Sequence, residues 1–410
     1  MKKGFFLSSV TLLALSALAS CGSSSSGGGG SKTSLGTIKI WCDEKIVDLV
    51  KTEVNEYKAS SSYDFTLTVE PQSESSAAGD MITDPKAGAD IFFFAQDQLS
   101  RLITAKAVSD LASDAATTVK ANNDEESVKA ATVDNKLYAY PATADNTYFM
   151  YYDKSVMGNT DITDFNAIVA KAKAANKTVY FNTSSAWYNA AFFYGAGAHS
   201  EWTVDSKGNF IDYDDNYNSA EGVRAIKAMH TLFSDTSVHI DDSKNGAFGL
   251  GAAVLVSGTW AKNDVKQALG NNFGVAILPK VTVEGATFQL KPFSGYKLIG
   301  AKPQTDANRA VAVKEIALML SGEAAQLARF NQNGWAPTNK NVQNKDEVKN
   351  DEVTKVVFAQ NAVSASQGQY PGKWWDLAGA LGAPITLHQN TIDANKLLKS
   401  YSDSIVDLKS

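Results

Sequence analysis

Aromatic residues stand beside acids at several points of the chain. Asp43 and Glu44 follow Trp41, Asp97 follows Phe94 and Asp376 follows Trp374-Trp375, while Trp187-Tyr188 and Trp260 add further rings and Asp145 lies apart. A flat ring covers apolar surface at low entropy cost, and a carboxylate accepts charge-assisted hydrogen bonds. A pyranose presents both requirements at once, with C–H groups on its faces and hydroxyls around its rim. Aromatic-plus-acid is therefore the site composition expected for a saccharide. On a helix, adjacent residues point about 100° apart, so Trp374 and Trp375 share one core only awkwardly unless one of them faces a cleft.

Other chemistry lacks support. The chain has no G-x-S-x-G, no G-x-x-x-x-G-K-[ST], no H-E-x-x-H and no C-x-x-C, and His199, His230, His239 and His388 are scattered without ligand spacing. Neither a catalytic motif nor a cofactor or metal motif is found, so no enzyme, cofactor or metal is expected. Gly246 to Gly251 has its glycines at the wrong offsets for a dinucleotide fingerprint and reads as a turn before a buried strand. Asp212 to Asn218 resembles the start of a calcium loop, but Tyr217 stands where Gly is needed and Val223 where a bidentate Glu belongs. It reads as a hairpin exit and helix cap. Tyr151-Tyr152 reads as strand with one ring inward and one outward.

The elements that must position these residues follow from periodicity. Thr37 to Trp41 alternates as a strand, Ile46 to Tyr57 recurs at helical spacing, Phe65, Leu67 and Val69 alternate again, and Asp90 to Phe94 is a continuous apolar run. Strands alternating with helices predict a parallel sheet whose ligand crevice lies beyond the carboxyl ends of the strands. Leu137–Pro141 and Tyr148–Tyr152 read as two strands joined by 142–147, where the chain could change domain. Further on, helices are expected over 164–175, 185–194 and 218–233, a hairpin around Ser206-Lys207-Gly208-Asn209, and strands at 252–257 and 274–278. The fold class is α/β, in two lobes of similar size.

The N-terminus supplies an address. Lys2 and Lys3 precede an apolar stretch, Phe5 to Ala19, too short for a comfortable membrane span, and Leu18-Ala19-Ser20-Cys21-Gly22 resembles the bacterial lipobox. Cys21 is the expected lipidation site, and two acyl chains anchor stably where one does not. A Ser/Gly run follows as a flexible tether. Processing at Cys21 leaves a net charge of −8 in place of −6, which argues against nucleic acid as a partner. Cys42 is left as a lone thiol, expected to be small and buried.

These features together resemble the extracellular solute-binding proteins of carbohydrate ABC transporters, in the maltose/maltodextrin-binding group. Ala89 to Asp97 is similar to that family's strand and loop bearing an aromatic and an Asp, Lys136 to Pro141 with Tyr151 to Lys154 to its K-L-x-A-Y-P segment and crossover strand, and Ser257 to Ala261 to its G-P-W turn. Phe273 to Pro279, Pro292 to Gly295 and Trp374-Trp375 also match, in the family's order. The resemblance implies a two-lobed periplasmic-binding-protein-like fold, with a multi-segment hinge and an interlobe ligand cleft. Residues 1–20 would be the lipoprotein signal peptide and 21–35 the lipidated Cys and linker. The first lobe would comprise 36–143 plus 280–345, and the second 144–279 plus 346–410.

By position, the resemblance implies ligand contacts from Asp43, Phe94, Asp97 and Asp145 on the first lobe and hinge, and from Trp187, Trp260 and Trp374, with Trp375 adjacent, on the second. Gln98 replaces the usual Arg after the Asp, and Ser185 the usual Glu before the aromatic. The implied protein is a membrane-tethered monomer that captures maltodextrin and delivers it to an ABC permease. A secreted glycoside hydrolase, which also pairs acids with aromatics, and a polyamine binder, in which Asp97 and Asp145 meet ammonium groups, are the competing readings.

Overall fold

The computed structural model describes residues 32–240, 246–385 and 391–409. The expected signal peptide, Cys21 and the Ser/Gly run lie outside the described residues. The folded part begins earlier than the sequence implies: strand Thr33–Cys42 starts inside the span assigned to the linker, because Leu35 is buried in the core and Thr33 pairs with Tyr63.

Thr33–Cys42 is the middle of a parallel trio with Tyr63–Pro71 and Ile91–Ala95. Its alternating inward residues, Ile38, Ile40 and Cys42, are fully buried and covered by Val50 and Val54 of helix Val47–Ser60. Burial pushes the Cys42 thiol up to about 12, so it serves as a small core residue. Strand Phe293–Ala301 joins this sheet antiparallel to Ile91–Ala95 and, on its own other side, to Tyr140–Thr147. Residues 142–147, expected as a connector, are thus strand. All are buried, and pairing along Phe293–Ala301 satisfies backbone groups that a buried loop would leave open.

A second sheet runs in the order Val238–His239, Thr178–Tyr180, Ala252–Ser257, Phe149–Asp153, Phe273–Ala276. Both of its faces are covered, which is why Tyr151 and Tyr152 are both buried where one exposed ring was expected. Helices Phe165–Ala174, Ala186–Ala196, Ala220–Phe233, Gly372–Gly382 and Ala394–Ile405 build the larger apolar core beside it.

The chain passes from the first sheet to the second at Tyr148, the one residue between strands Tyr140–Thr147 and Phe149–Asp153. It returns later than the sequence implies. Hairpin Lys280–Val283/Ala286–Gln289 stays with the second lobe, where Asn166 bonds Thr282 twice and the Lys280 backbone pairs in a β-bridge with that of Asp164, so the return falls between Gln289 and Phe293. The third passage precedes helix Glu352–Asn361, whose Val353 and Val357 pack with Tyr151 and Tyr180.

Helix Gly372–Gly382 lies against residues 183–185 so closely that a Cβ on Gly382 would stand 1.7 Å from the Thr183 carbonyl oxygen. Backbone cannot yield as a flexible side chain can. Gly382→Ala is expected to destabilise the fold by about 1–3 kcal/mol, read as a lowered midpoint in urea unfolding.

Candidate functional site

Three parallel strands of the first lobe end at one cleft, about 820 Å³ in volume, that faces the second lobe. Past Thr33–Cys42 come Asp43 and Lys45; past Tyr63–Pro71 come Ser73, Glu74 and Ser75; past Ile91–Ala95 come Asp97, Gln98 and Arg101. Trp187 and Tyr188 approach from the start of helix Ala186–Ala196, Trp260 from the turn after strand Ala252–Ser257, and Trp375 from helix Gly372–Gly382. Lys297, Asn146 and Gln367 line it from the hinge strands and the chain beside them.

Five of the expected residues therefore meet: Asp43, Asp97, Trp187, Trp260 and Trp375 all line the cleft. The Asp43 carboxylate accepts from the Lys45 backbone N–H at 2.8 Å and so caps the short turn that follows it. Trp187 and Trp375 stand 6.5 Å apart and form one aromatic wall. Trp260 folds back over Gly258, where a Cβ would lie 2.1 Å from its ring. The Lys45 ammonium donates to the Trp260 carbonyl, and the Thr104 hydroxyl donates at 3.0 Å to the Lys207 carbonyl, so the lobes touch across the cleft.

Three expected contacts lie elsewhere. Phe94 is fully buried, its ring 5.5 Å from that of Phe92, because its strand is covered on both faces and the chain turns into the cleft only after Ala95. Trp374 is also sealed in the core: its indole N–H meets Ser200 Oγ at 3.0 Å and the Tyr401 hydroxyl at 2.9 Å, and its ring stacks on Tyr370 at 4.2 Å. Helical geometry turns Trp375 the other way, into the cleft. Asp145 is fully buried below the cleft and accepts from the Thr259 hydroxyl at 2.6 Å, which ties the Trp260 turn to the hinge strand.

Sequence reading missed Lys45, Glu74, Arg101, Asn146, Lys297 and Gln367. Gln98, which stands where an Arg is usual, donates at 3.1 Å to the carbonyls of both Glu74 and Ser75 and so fixes their loop. Arg101, on the following helix, brings a guanidinium to the same wall. Asn146 donates to Gln367 Oε1 at 2.8 Å, and Gln96 joins the Gln367 carbonyl to the Tyr296 backbone N–H.

The fold is that of a known group of proteins. Residues 54–355 match the family described as bacterial extracellular solute-binding protein. This chain belongs to that family. It is 25% identical over 281 residues to the maltotriose-binding protein of Pyrococcus abyssi, covering 66% of this chain and 59% of that relative. Among solved structures, a chain determined with acarbose is 28% identical with a TM-score of 0.76, over 90% of this chain and 97% of that one. The maltodextrin binding protein of L. casei BL23, solved without ligand, is 24% identical with a TM-score of 0.74, over 91% and 98%, and it shares the two-lobed fold.

In this member of the family, acids and bases line the cleft in equal number: Asp43, Glu74 and Asp97 face Lys45, Arg101 and Lys297. Burial lowers the affinity of Lys297 for its proton, but Glu74, Asp145 and Asp43 outweigh it and hold the ammonium above its ordinary pKa. Burial raises Asp97 from 3.8 to about 7, against the Arg101 charge and hydrogen bonds that include one from Trp375.

The raised Asp97 sets a pH dependence. Folded protein binds this proton more tightly than unfolded chain, so its contribution is fully present below about pH 4 and is lost as pH rises through about 7. In ligand-free thermal melts, the midpoint of wild type minus that of Asp97→Asn is expected to fall between pH 4 and pH 7 and to level off above.

Proposed function

We propose that this chain is a lipid-anchored extracellular binding protein that captures a neutral oligosaccharide of the maltodextrin type and delivers it to an ABC permease. The observation that carries this reading is the convergence of Trp187, Trp260 and Trp375 with balanced acids and bases in one interlobe cleft. Indole plates cover the C–H faces of a saccharide while carboxylates, amides and cations serve its hydroxyls. The names of a curated relative, a maltotriose-binding protein, and of a related chain solved with acarbose support the same ligand class. The anchor rests on the lipobox around Cys21.

Closure provides the mechanism. A ligand held between Trp187 and Trp375 on one lobe and Asp43 and Asp97 on the other binds the closed arrangement more strongly than an open one, and it shifts the population by that difference in affinity. Capture needs no covalent step. The three cations also oppose the polyamine reading, since an ammonium-bearing ligand would be brought against Lys297 and Arg101.

A thermal-shift panel of oligosaccharides is the direct test, because a ligand of the folded state raises the melting point by mass action. Maltotriose is expected to raise it, and spermidine is not. Isothermal calorimetry without heat from any oligosaccharide would overturn the reading. Trp187→Ala and Trp375→Ala are each expected to weaken maltotriose binding roughly 10- to 100-fold, whereas Phe94→Leu lowers the melting point and leaves affinity within about threefold, as expected of a core residue. Gly258→Ala, which displaces the Trp260 ring, is expected to weaken binding about tenfold or more in the same calorimetric titration.

A further inference from the structure

Lys297 and Glu74 form a buried ion pair in the wall of the cleft. Their side chains are only 8% and 9% exposed, and Nζ lies 3.6 Å from Glu74 Oε1, beyond good hydrogen-bond length. Oε1 has no hydrogen-bond partner. The ammonium is flanked by rings instead, 4.9 Å from the centroid of Trp335 and 5.9 Å from that of Trp260. Ring faces attract a cation, but they leave its N–H donors open. A buried ammonium and a buried carboxylate with unused capacity are costly unless something polar completes them.

We infer that Lys297 and Glu74 together read one vicinal diol of the bound saccharide, the ammonium donating to one hydroxyl oxygen and the carboxylate accepting from its neighbour. This inference rests on the saccharide reading above. Adjacent ring hydroxyls stand about one hydrogen-bond length apart, which suits a donor and an acceptor set side by side. The pair lies on the first lobe, while Trp260 comes from the second and covers the ammonium from across the cleft. The diol is thus enclosed only when the lobes meet. Charge-assisted bonds at a desolvated pair discriminate strongly against a ligand that lacks one hydroxyl, since a buried charge is then left open.

Calorimetry with maltotriose tests the pair. Lys297→Met and Glu74→Gln are each expected to weaken binding roughly 10- to 100-fold. The double variant should lose much less than the product of the two, because both groups serve one diol. Since removing a buried charge can disturb folding, a second measurement uses wild type alone, with methyl β-maltoside and its monodeoxygenated derivatives. Two adjacent positions should each lose about tenfold or more. Wild type that binds maltotriose while both variants stay within threefold, or losses that multiply in the double variant, or a deoxygenation profile without an adjacent sensitive pair, overturns the diol assignment alone. Wild type that binds no oligosaccharide overturns it together with the functional reading beneath it.

Discussion

A charge taken out of water persists only beside an opposite charge or a full set of hydrogen bonds, and the seam between the lobes is built under that constraint. Lys297 is surrounded by Glu74, Asp145 and Asp43, and Asp97 by Arg101 and the Trp375 indole. Apart from Arg101, four residues after Asp97, each compensating group comes from a distant segment of chain. The polar lining therefore exists only once strands from residues 33 to 301 have assembled, and the site is a product of the whole first sheet and its hinge rather than of any one motif. What the assembly yields is a surface whose donors and acceptors are already placed before any ligand arrives.

Much of this was legible in the chain itself. Alternation located the first two parallel strands and a continuous apolar run the third, and the rule that ligands lie beyond their carboxyl ends pointed to Asp43 and Asp97. Adjacent tryptophans on a helix share one core only awkwardly, and Trp375 is the one turned outward. Which of the two was not legible, because it depends on Ser200 and Tyr401, far away in sequence, receiving the Trp374 indole N–H. Phe94 misled for a related reason: an apolar run carries no alternation to show which ring leaves the core.

The polar residues that were missed share a different property. Glu74, Arg101, Lys297 and Gln367 sit singly in segments that read as ordinary loop, helix or strand, and their roles come from contacts such as Asn146 with Gln367 at a separation of 221 residues. The hinge shows the same limit. Buried strand 140–147 lacks a pattern of its own, and only its pairing with Phe293–Ala301 marks it as continuous sheet. Arg101 brings its guanidinium to the wall beside Gln98 from the helix that follows.

Cys42 carries a practical consequence. Its sulfur is wholly enclosed and holds its proton to about pH 12, so at neutral pH the folded lobe offers almost no thiolate to an alkylating dye. A cysteine introduced at the rim of the cleft would take up label in its place. The folded body thus comes ready for a single environment-sensitive fluorophore beside the tryptophans, and the closure proposed above could be followed as a change in colour or brightness without first removing the buried sulfur of Cys42.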